Sequence, residues 1–418
     1  MMKTDKRQYR ISKFSICLSA LAVASLIRLT IPPGNSPWIG LSGNETIKLN
    51  NGDASKLGAI EFQIKLQKDF QELIYRNQHP VDCSSRRVLL TPRRPERLDG
   101  FCLELQWWGR HLQASVAVDR TFVMRNNFIS EYAPPGCQWS TINMTVSNAW
   151  ECLFQPITNC TEQSVTQSSS ETSEGNVMGS YGIHNHEFSR FFHTGFYGNK
   201  RIVHALKERR GGWPAVDSIE HWERAMGRFW IRSQMVHYMW KPSIGLQSEV
   251  DTRIPKSLLQ SNTPFIGMHI RFTDNIVNLW NDFSRNANIT RSLSHFMDIA
   301  QKIRSKTGIS TIYLATDSIA TLEQLQNSKY PDWKFVVQEN VPRSSGTEWT
   351  WFRNIRTFSG AAIATDLEVL RRADYLIGSF QSNVYRLATE LNTAYNYDRY
   401  LFQQERHMAV DVPWYEDP

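Results

Sequence analysis

The sequence predicts an α/β protein whose C-terminal half is a doubly wound domain on a parallel sheet. Two observations predict it. Between residues 265 and 391, short apolar runs alternate with longer segments of helical period. Strands that alternate with helices call for a parallel sheet covered on both faces. Just past the apolar runs stand polar residues, among them His269, Arg271, Asp317 and Ser382. Open parallel sheets bind their ligands beyond the carboxyl ends of the strands.

The expected elements of this half run in order. Residues 265–270 read as a buried strand, 290–306 as a helix, 310–315 as a strand and 319–327 as a helix. Residues 333–337 follow as a strand, 358–373 as a helix, 375–379 as a strand and 382–391 as a helix. Upstream, Leu57, Ile60, Ile64, Phe70, Leu73 and Ile74 recur at helical spacing, so 55–78 is one amphipathic helix. Asp99 and Gly100 make a turn into a helix, which leads to a strand at 120–124. Residues 162–175, nearly all Ser, Thr, Gln and Glu, read as a loop, and 217–240 as a further helix.

The N-terminus carries an address. Lys3, Lys6, Arg7, Arg10 and Lys13 precede an apolar run from 14 to 27, and Pro32 and Pro33 end any helix there. Two readings compete. Ala22, Val23 and Ala24 resemble a signal-peptide cleavage site. Alternatively the run is an uncleaved anchor with its basic end in the cytosol, extended to Ile31 by a snorkelling Arg28. Both put the rest of the chain in an oxidising, glycosylating compartment. Sequons at Asn44, Asn143, Asn159 and Asn288 agree with that. Residues 32–54, rich in Gly, Asn, Ser and Pro, read as a stem. Cys17 lies in the address, which leaves Cys83, Cys102, Cys137, Cys152 and Cys160 and one thiol over.

Composition excludes several functions. A formal charge of +7 without a Lys/Arg tract or a nucleic-acid motif argues against nucleic acid and suits a small anionic ligand. The chain has no Asp-x-Asp pair, no His-Glu-x-x-His, no P-loop, no Gly-x-Gly-x-x-Gly and no Gly-x-Ser-x-Gly. An anion must therefore be met by arginine, hydroxyls and helix N–H groups, with no metal and no cofactor. Arg271 offers two parallel bonds to a phosphate, and the helix start at Ser382 offers free N–H groups. Plainer readings stand beside these. Asp317 caps the next helix, Ser379 and Ser382 are caps, His269 is a satisfied core histidine, and Arg271 is a structural ion pair.

Three segments resemble the signatures of the α-1,6-fucosyltransferases, which add core fucose to N-glycans: 267–274 (GMHIRFTD), 312–317 (IYLATD) and 374–386 (DYLIGSFQSNVYR). Residues 78–84 (QHPVDCS) and 150–156 (WECLFQP), with Cys160 beyond, resemble family landmarks. The resemblance runs from about 70 to about 395. It implies a two-lobed, GT-B-like glycosyltransferase with an N-terminal α/β lobe at 79–250 and a nucleotide-sugar-binding lobe at 255–400, leaving 401–418 as a tail. It implies transfer of L-fucose from GDP-fucose, with inversion and without metal, to an N-glycan core GlcNAc or a related glycan. It also favours the anchor: a cytosolic tail at 1–13, a signal anchor at 14–31 and a lumenal catalytic part in the Golgi. Secretion after cleavage is the alternative.

Residue by residue, the resemblance implies that Arg271 holds the β-phosphate and stabilises the leaving GDP. His269 contacts ribose or phosphate, Asp366 reads guanine, Ser382 contacts phosphate, and Asp317 and the turn at Gly100 and Phe101 lie on the donor side. Cys83 and Cys160 match a family disulfide. Cys137 and Cys152 are a further pair by proximity.

The departures are specific. Phe272 replaces a second arginine, Asn275 a lysine, and Leu279 the glutamate thought to act as base. Ser318 replaces an aspartate, Gly378 and Tyr385 replace a cysteine pair, and the C-terminal SH3-like domain is missing. Asp274 and Asp282 are the remaining candidates for the base. Three readings stay open: a fucosyltransferase with altered acceptor choice, a pseudoenzyme that binds nucleotide or glycan, and a protein O-fucosyltransferase.

Overall fold

The computed structural model describes residues 51–86, 88–90, 100–117, 119–124, 130, 132–133, 149–166, 228–259, 263–271, 293–326, 330–341, 343, 356–380, 382–396 and 406–410. Residues 51–418 form a compact unit of their own.

The chain enters through helix α1 (Asn51–Gln78). Phe70, Ile74, Asn77 and Gln78 share its buried face. Its outer face carries Lys65–Asp69 and Arg76–Glu72 pairs one turn apart. Strand β1 (Val88–Leu90) follows. Gly100, at φ +103°, makes the next turn in a backbone region that side chains disfavour. Its carbonyl accepts from Glu104 N at 3.1 Å and opens helix α2 (Phe101–Ala117). Phe101, Leu105, Trp108, Leu112 and Val116 bury one stripe of α2. Strand β2 (Thr121–Val123) pairs in parallel with β1. Short helices α3 (Ala149–Leu153) and α4 (Glu162–Thr166) flank the Cys83–Cys160 disulfide.

Helices α5 (Arg228–Met239), α6 (Ile244–Arg253) and α7 (Lys256–Leu259) lead into strand β3 (Ile266–Ile270). Ser243 caps α6 by accepting from Leu246 N at 3.2 Å. The alternation expected from the sequence then unfolds: α8 (Leu293–Thr307), β4 (Thr311–Thr316), α9 (Ile319–Gln326), β5 (Lys334–Val337), α10 (Arg356–Leu370), β6 (Tyr375–Gly378), α11 (Asn383–Tyr395) and β7 (His407–Ala409). These strands form a parallel sheet in the order β5-β4-β3-β6-β7.

Both faces are covered because alternate strand residues point to opposite sides. Ile312 and Leu314 of β4 join Ile266, Met268 and Ile270 of β3 in a core closed by Phe296, Met297, Ala300 and Ile303 of α8. Tyr313 and Ala315 face the other way, into the core formed with α10 and α11. The sheet is doubly wound, and the chain is α/β as expected. Gly267 sits where α10 comes closest: a Cβ there would stand 2.8 Å from Leu370 and Leu376.

Two features differ from the sequence reading. Residues 401–418 were expected to be a tail, yet His407–Ala409 is a strand of the main sheet, paired with β6. Three residues are too few to display a period of two. The boundary near 250 also does not divide two cores. Helices α5 and α6, assigned upstream of it, pack on α11 and α10, and one core runs from Phe70 to Leu391. Hydrophobic periodicity shows which face of a helix is buried, but not which partner buries it.

Candidate active site

The strand order reverses between β3 and β6. The chain builds β3, β4 and β5 toward one edge, then returns to place β6 on the other side of β3. Such a switch point opens a crevice at the carboxyl ends of the two strands. His269, Arg271, Ser379 and Ser382 all stand there.

Arg271 follows β3 directly and is one-third exposed. Its Nε lies 3.8 Å from Asp317 Oδ2, just past β4. Asp317 therefore faces the crevice. The cap it was thought to supply comes from Ser318, whose Oγ accepts from Thr321 N at 3.2 Å. His269 is buried, and burial with the adjacent Arg271 charge pushes its pKa down to about 3. Its imidazole is neutral at physiological pH, and its buried Nδ1 has no hydrogen-bond partner among the described residues. Ser382 occupies the N-cap position of α11, but its hydroxyl does not cap the helix. That Oγ is likewise buried without a partner. Buried polar atoms are nearly always satisfied. Two such orphans stand at the same switch point as Arg271, where a ligand would find unmatched polar atoms.

Asp366, on α10, receives the Tyr313 hydroxyl at 2.6 Å on Oδ1. Burial raises its pKa to about 7, partly opposed by the Tyr313 bond and by Arg343, with the Asp317 charge adding to the rise. The field of Asp317 on Asp366 ties the arginine end of the crevice to the aspartate end. Cys102, at the start of α2, feels the charges of both ends. Burial pushes the Cys102 thiol up, Arg271 draws it back and Asp366 adds to the rise. The Phe101 ring packs in the core, 6.1 Å from Phe154 and 5.4 Å from Tyr132. The part-exposed Gly100 backbone is what this turn can offer a ligand.

The two base candidates, Asp274 and Asp282, lie outside the described residues, as do Phe272, Asn275 and Leu279. So do the proposed tail and anchor at 1–13 and 14–31. Among the described residues no helix is long and apolar enough to cross a membrane, and no cluster of His, Cys, Asp or Glu could hold a metal ion. The Cys83–Cys160 disulfide that the resemblance implies is present. Cys152 is disulfide-bonded as well, whereas Cys137 lies outside the described residues. Cys102 is the free thiol among the described cysteines.

Three side chains beside Asp366 escaped sequence reasoning: Tyr313, Gln338 and Arg343. Tyr313 lies inside an apolar strand and reads as core. Gln338 follows β5 as Asp317 follows β4, so its position was a usable signal. Arg343 carries no local signal.

Residues 218–406 match the family described as Alpha-(1,6)-fucosyltransferase N- and catalytic domains. Over this span the chain is similar to the alpha-(1,6)-fucosyltransferase family. The matched span is just under half of the chain and holds β3 to α11, with every crevice residue just described except those of the α2 turn. The match indicates a glycosyltransferase. Among solved structures it is similar to the fucosyltransferase NodZ from Bradyrhizobium, with 17% identity and a TM-score of 0.41, over 73% of this chain and 92% of that one. It is also similar to POFUT1 in complex with GDP-fucose, with 13% identity and a TM-score of 0.42, over 79% of this chain and 99% of that one.

Proposed function

We propose that this fucosyltransferase-family protein transfers L-fucose from GDP-fucose to the core GlcNAc of an N-glycan or a related glycan, with inversion and without a metal. The observation that carries the reading is Arg271 at the end of β3 with the orphaned Nδ1 of His269 and Oγ of Ser382 beside it. In this reading the β-phosphate takes over from Asp317 as the main partner of Arg271. The arginine then meets the charge that develops on GDP as the fucosyl bond breaks. Neutral His269 donates or accepts through Nδ1, Ser382 donates through Oγ, and the first N–H groups of α11 add their dipole. Asp366, with Oδ1 engaged by Tyr313, presents Oδ2 to the N1–H and N2–H groups of guanine.

The acceptor hydroxyl loses its proton on the side away from GDP, and the sequence offers Asp274 and Asp282 as candidate bases. A positioned base is worth about 10²–10⁴-fold. The protein works in the Golgi lumen, held by an anchor at 14–31. The Cys83–Cys160 disulfide and the exposed sequon at Asn159 support an oxidising, glycosylating compartment.

Calorimetric titration with GDP in EDTA-containing buffer tests the donor assignment, and GDP release from GDP-fucose with a panel of N-glycans tests transfer. Binding unaffected by EDTA is expected. Arg271→Ala should weaken it by about 10- to 100-fold, the worth of a charge-assisted bond. Absence of GDP binding without metal would sink the donor assignment.

A second reading, nucleotide binding without transfer, is favoured by Leu279 in place of the family glutamate and Asn275 in place of the lysine. GDP binding with no GDP release across the whole panel would select it.

A further inference from the structure

The aspartate end of the crevice holds more than a single carboxylate. Asp366 Oδ1 already accepts from the Tyr313 hydroxyl at 2.6 Å. It also accepts from the Gln338 amide at 3.3 Å, once that amide is turned so that its nitrogen donates there and to Ala362 O at 3.1 Å. Gln338 is buried. Both bonds converge on Oδ1. Arg343 stands behind Gln338, held by Gln338 O at 2.7 Å and Val341 O at 3.4 Å. The guanidinium is close enough to both Asp366 and Tyr313 to oppose the upward shift of each. Two of its nitrogens are thus tied to backbone carbonyls, while its Nε–H is buried with no acceptor among the described residues.

A buried guanidinium N–H without an acceptor is costly. Here it sits near the Asp366 carboxylate, whose Oδ1 is already engaged. One acceptor and one donor side by side form the complement of an edge that offers a donor and an acceptor side by side. Guanine has such an edge: N1–H and N2–H₂ donate, and O6 accepts. Adenine reverses the sense, with an amine at position 6 and an unprotonated N1. Asp366 alone reads only the donor half of the guanine edge, and O6 is left over.

We infer that Arg343 is a nucleotide-specificity residue, which donates to O6 of the guanine whose N1–H and N2–H₂ are read by Asp366. The inference rests on the GDP-donor reading above and adds to it the group that tells guanine from adenine. Gln338 and Tyr313 act as positioning residues, which hold Oδ1 so that Oδ2 faces the base. The competing account gives Arg343 a purely structural task, tying down the segment after β5 through its two carbonyl bonds.

The test is calorimetric titration of the full chain and its variants with GDP, IDP and ADP, in the same EDTA buffer. Arg343→Met is expected to weaken GDP and IDP equally, by about 10- to 100-fold, since both carry O6. ADP binding should be unchanged, so the preference for GDP over ADP falls by the same factor. Arg343→Lys retains the charge but not the planar fork, and should also lose most of that preference. It serves as the second variant if Arg343→Met does not fold. Asp366→Asn should cost more with GDP than with IDP, which lacks the N2 amine. If GDP binds and the preference over ADP is unchanged in Arg343→Met and Arg343→Lys, the inference is overturned and the donor reading stands. If the unmodified protein binds no GDP, both fall together.

Discussion

Gly378 lies directly beneath the ring of Tyr385: a Cβ on Gly378 would stand 2.1 Å from Tyr385 Cδ2 and 2.4 Å from Cγ. The tyrosine is fully buried, and its hydroxyl donates to Met408 O at 2.7 Å and Leu376 O at 3.2 Å. In this one contact the start of α11 is fastened to the end of β6 and to the edge strand β7. These are the two positions where the family resemblance places a cysteine pair. A glycine and a ring that fills its missing side chain replace a covalent link with a packed one.

Gly378→Ala should therefore destabilise the protein by at least the ~1–3 kcal/mol of an overpacked core. Tyr385→Phe, which keeps the ring and loses the hydroxyl, should cost about 1 kcal/mol. Urea unfolding of both variants checks the order. Equal stability of Gly378→Ala and the unmodified protein would show that the ring can move aside.

Asp366 gives a pH dependence of known sign. Its folded pKa, about 7, lies well above the ordinary aspartate value of about 3.9. The folded protein binds the extra proton, so this group favours folding below the ordinary aspartate value, and its contribution is lost as pH rises toward 7. The difference in unfolding free energy between the unmodified protein and Asp366→Asn should therefore shift across pH 4 to 7, with the variant gaining as pH rises. GDP affinity should move the other way, rising through pH 7 as the carboxylate forms. A flat difference curve would contradict the shift.

Three buried histidines and the half-buried His237 set the acid limit. His111 and His237 are pushed down to about 4, and His269 and His407 to about 3, each mainly by burial. Folded pKa values below the ordinary histidine value give stability that is present above pH 6.5 and lost as pH falls toward 3. Acid unfolding should take up several protons together, measurable as a steep pH dependence of the urea midpoint below pH 6. His407→Gln should soften it.

The Arg232–Glu390 ion pair, at 2.7 Å with the carboxylate fully buried, joins α5 to α11, and Gln106 Nε2 of α2 donates to the second oxygen at 3.2 Å. Breaking such a pair strands a buried charge. Arg232→Met should cost about 3–5 kcal/mol, whereas Arg232→Met with Glu390→Leu should recover much of it. Thermal melting of single and double variants measures the coupling.

The Cys83–Cys160 disulfide spans 77 positions of chain. A closed loop of that length is worth about 4 kcal/mol in the chain-entropy account. Cys83→Ser with Cys160→Ser should lower the melting temperature, while Cys102→Ser should leave the pattern of disulfides unchanged.

The alternation in residues 265–391 was legible because buried parallel strands are continuous apolar runs and their helices carry a 3.6-residue period. Arg271, Asp317 and Ser382 were legible for a related reason, since strand ends can be counted without knowing how the strands pair. Strand β7 was not, since its three residues are too short for any period. The role of Asp317 as a helix cap was a local inference that failed because Ser318, one residue on, had the better geometry. Tyr313 and Arg343 were hidden because their importance is a matter of distance to Asp366, separated from them by 53 and 23 positions in the chain.

By itself, then, the sequence determined the class of fold, the strand ends and the residue types an anionic nucleotide would need. These depend on local period and on chemistry carried by single side chains. Only the tertiary structure decided the order β5-β4-β3-β6-β7, which brings the end of β3 beside the end of β6. It also decided which polar atoms are left without partners there. Both follow from contacts between residues far apart in the chain, and burial without a partner exists only once those contacts have closed.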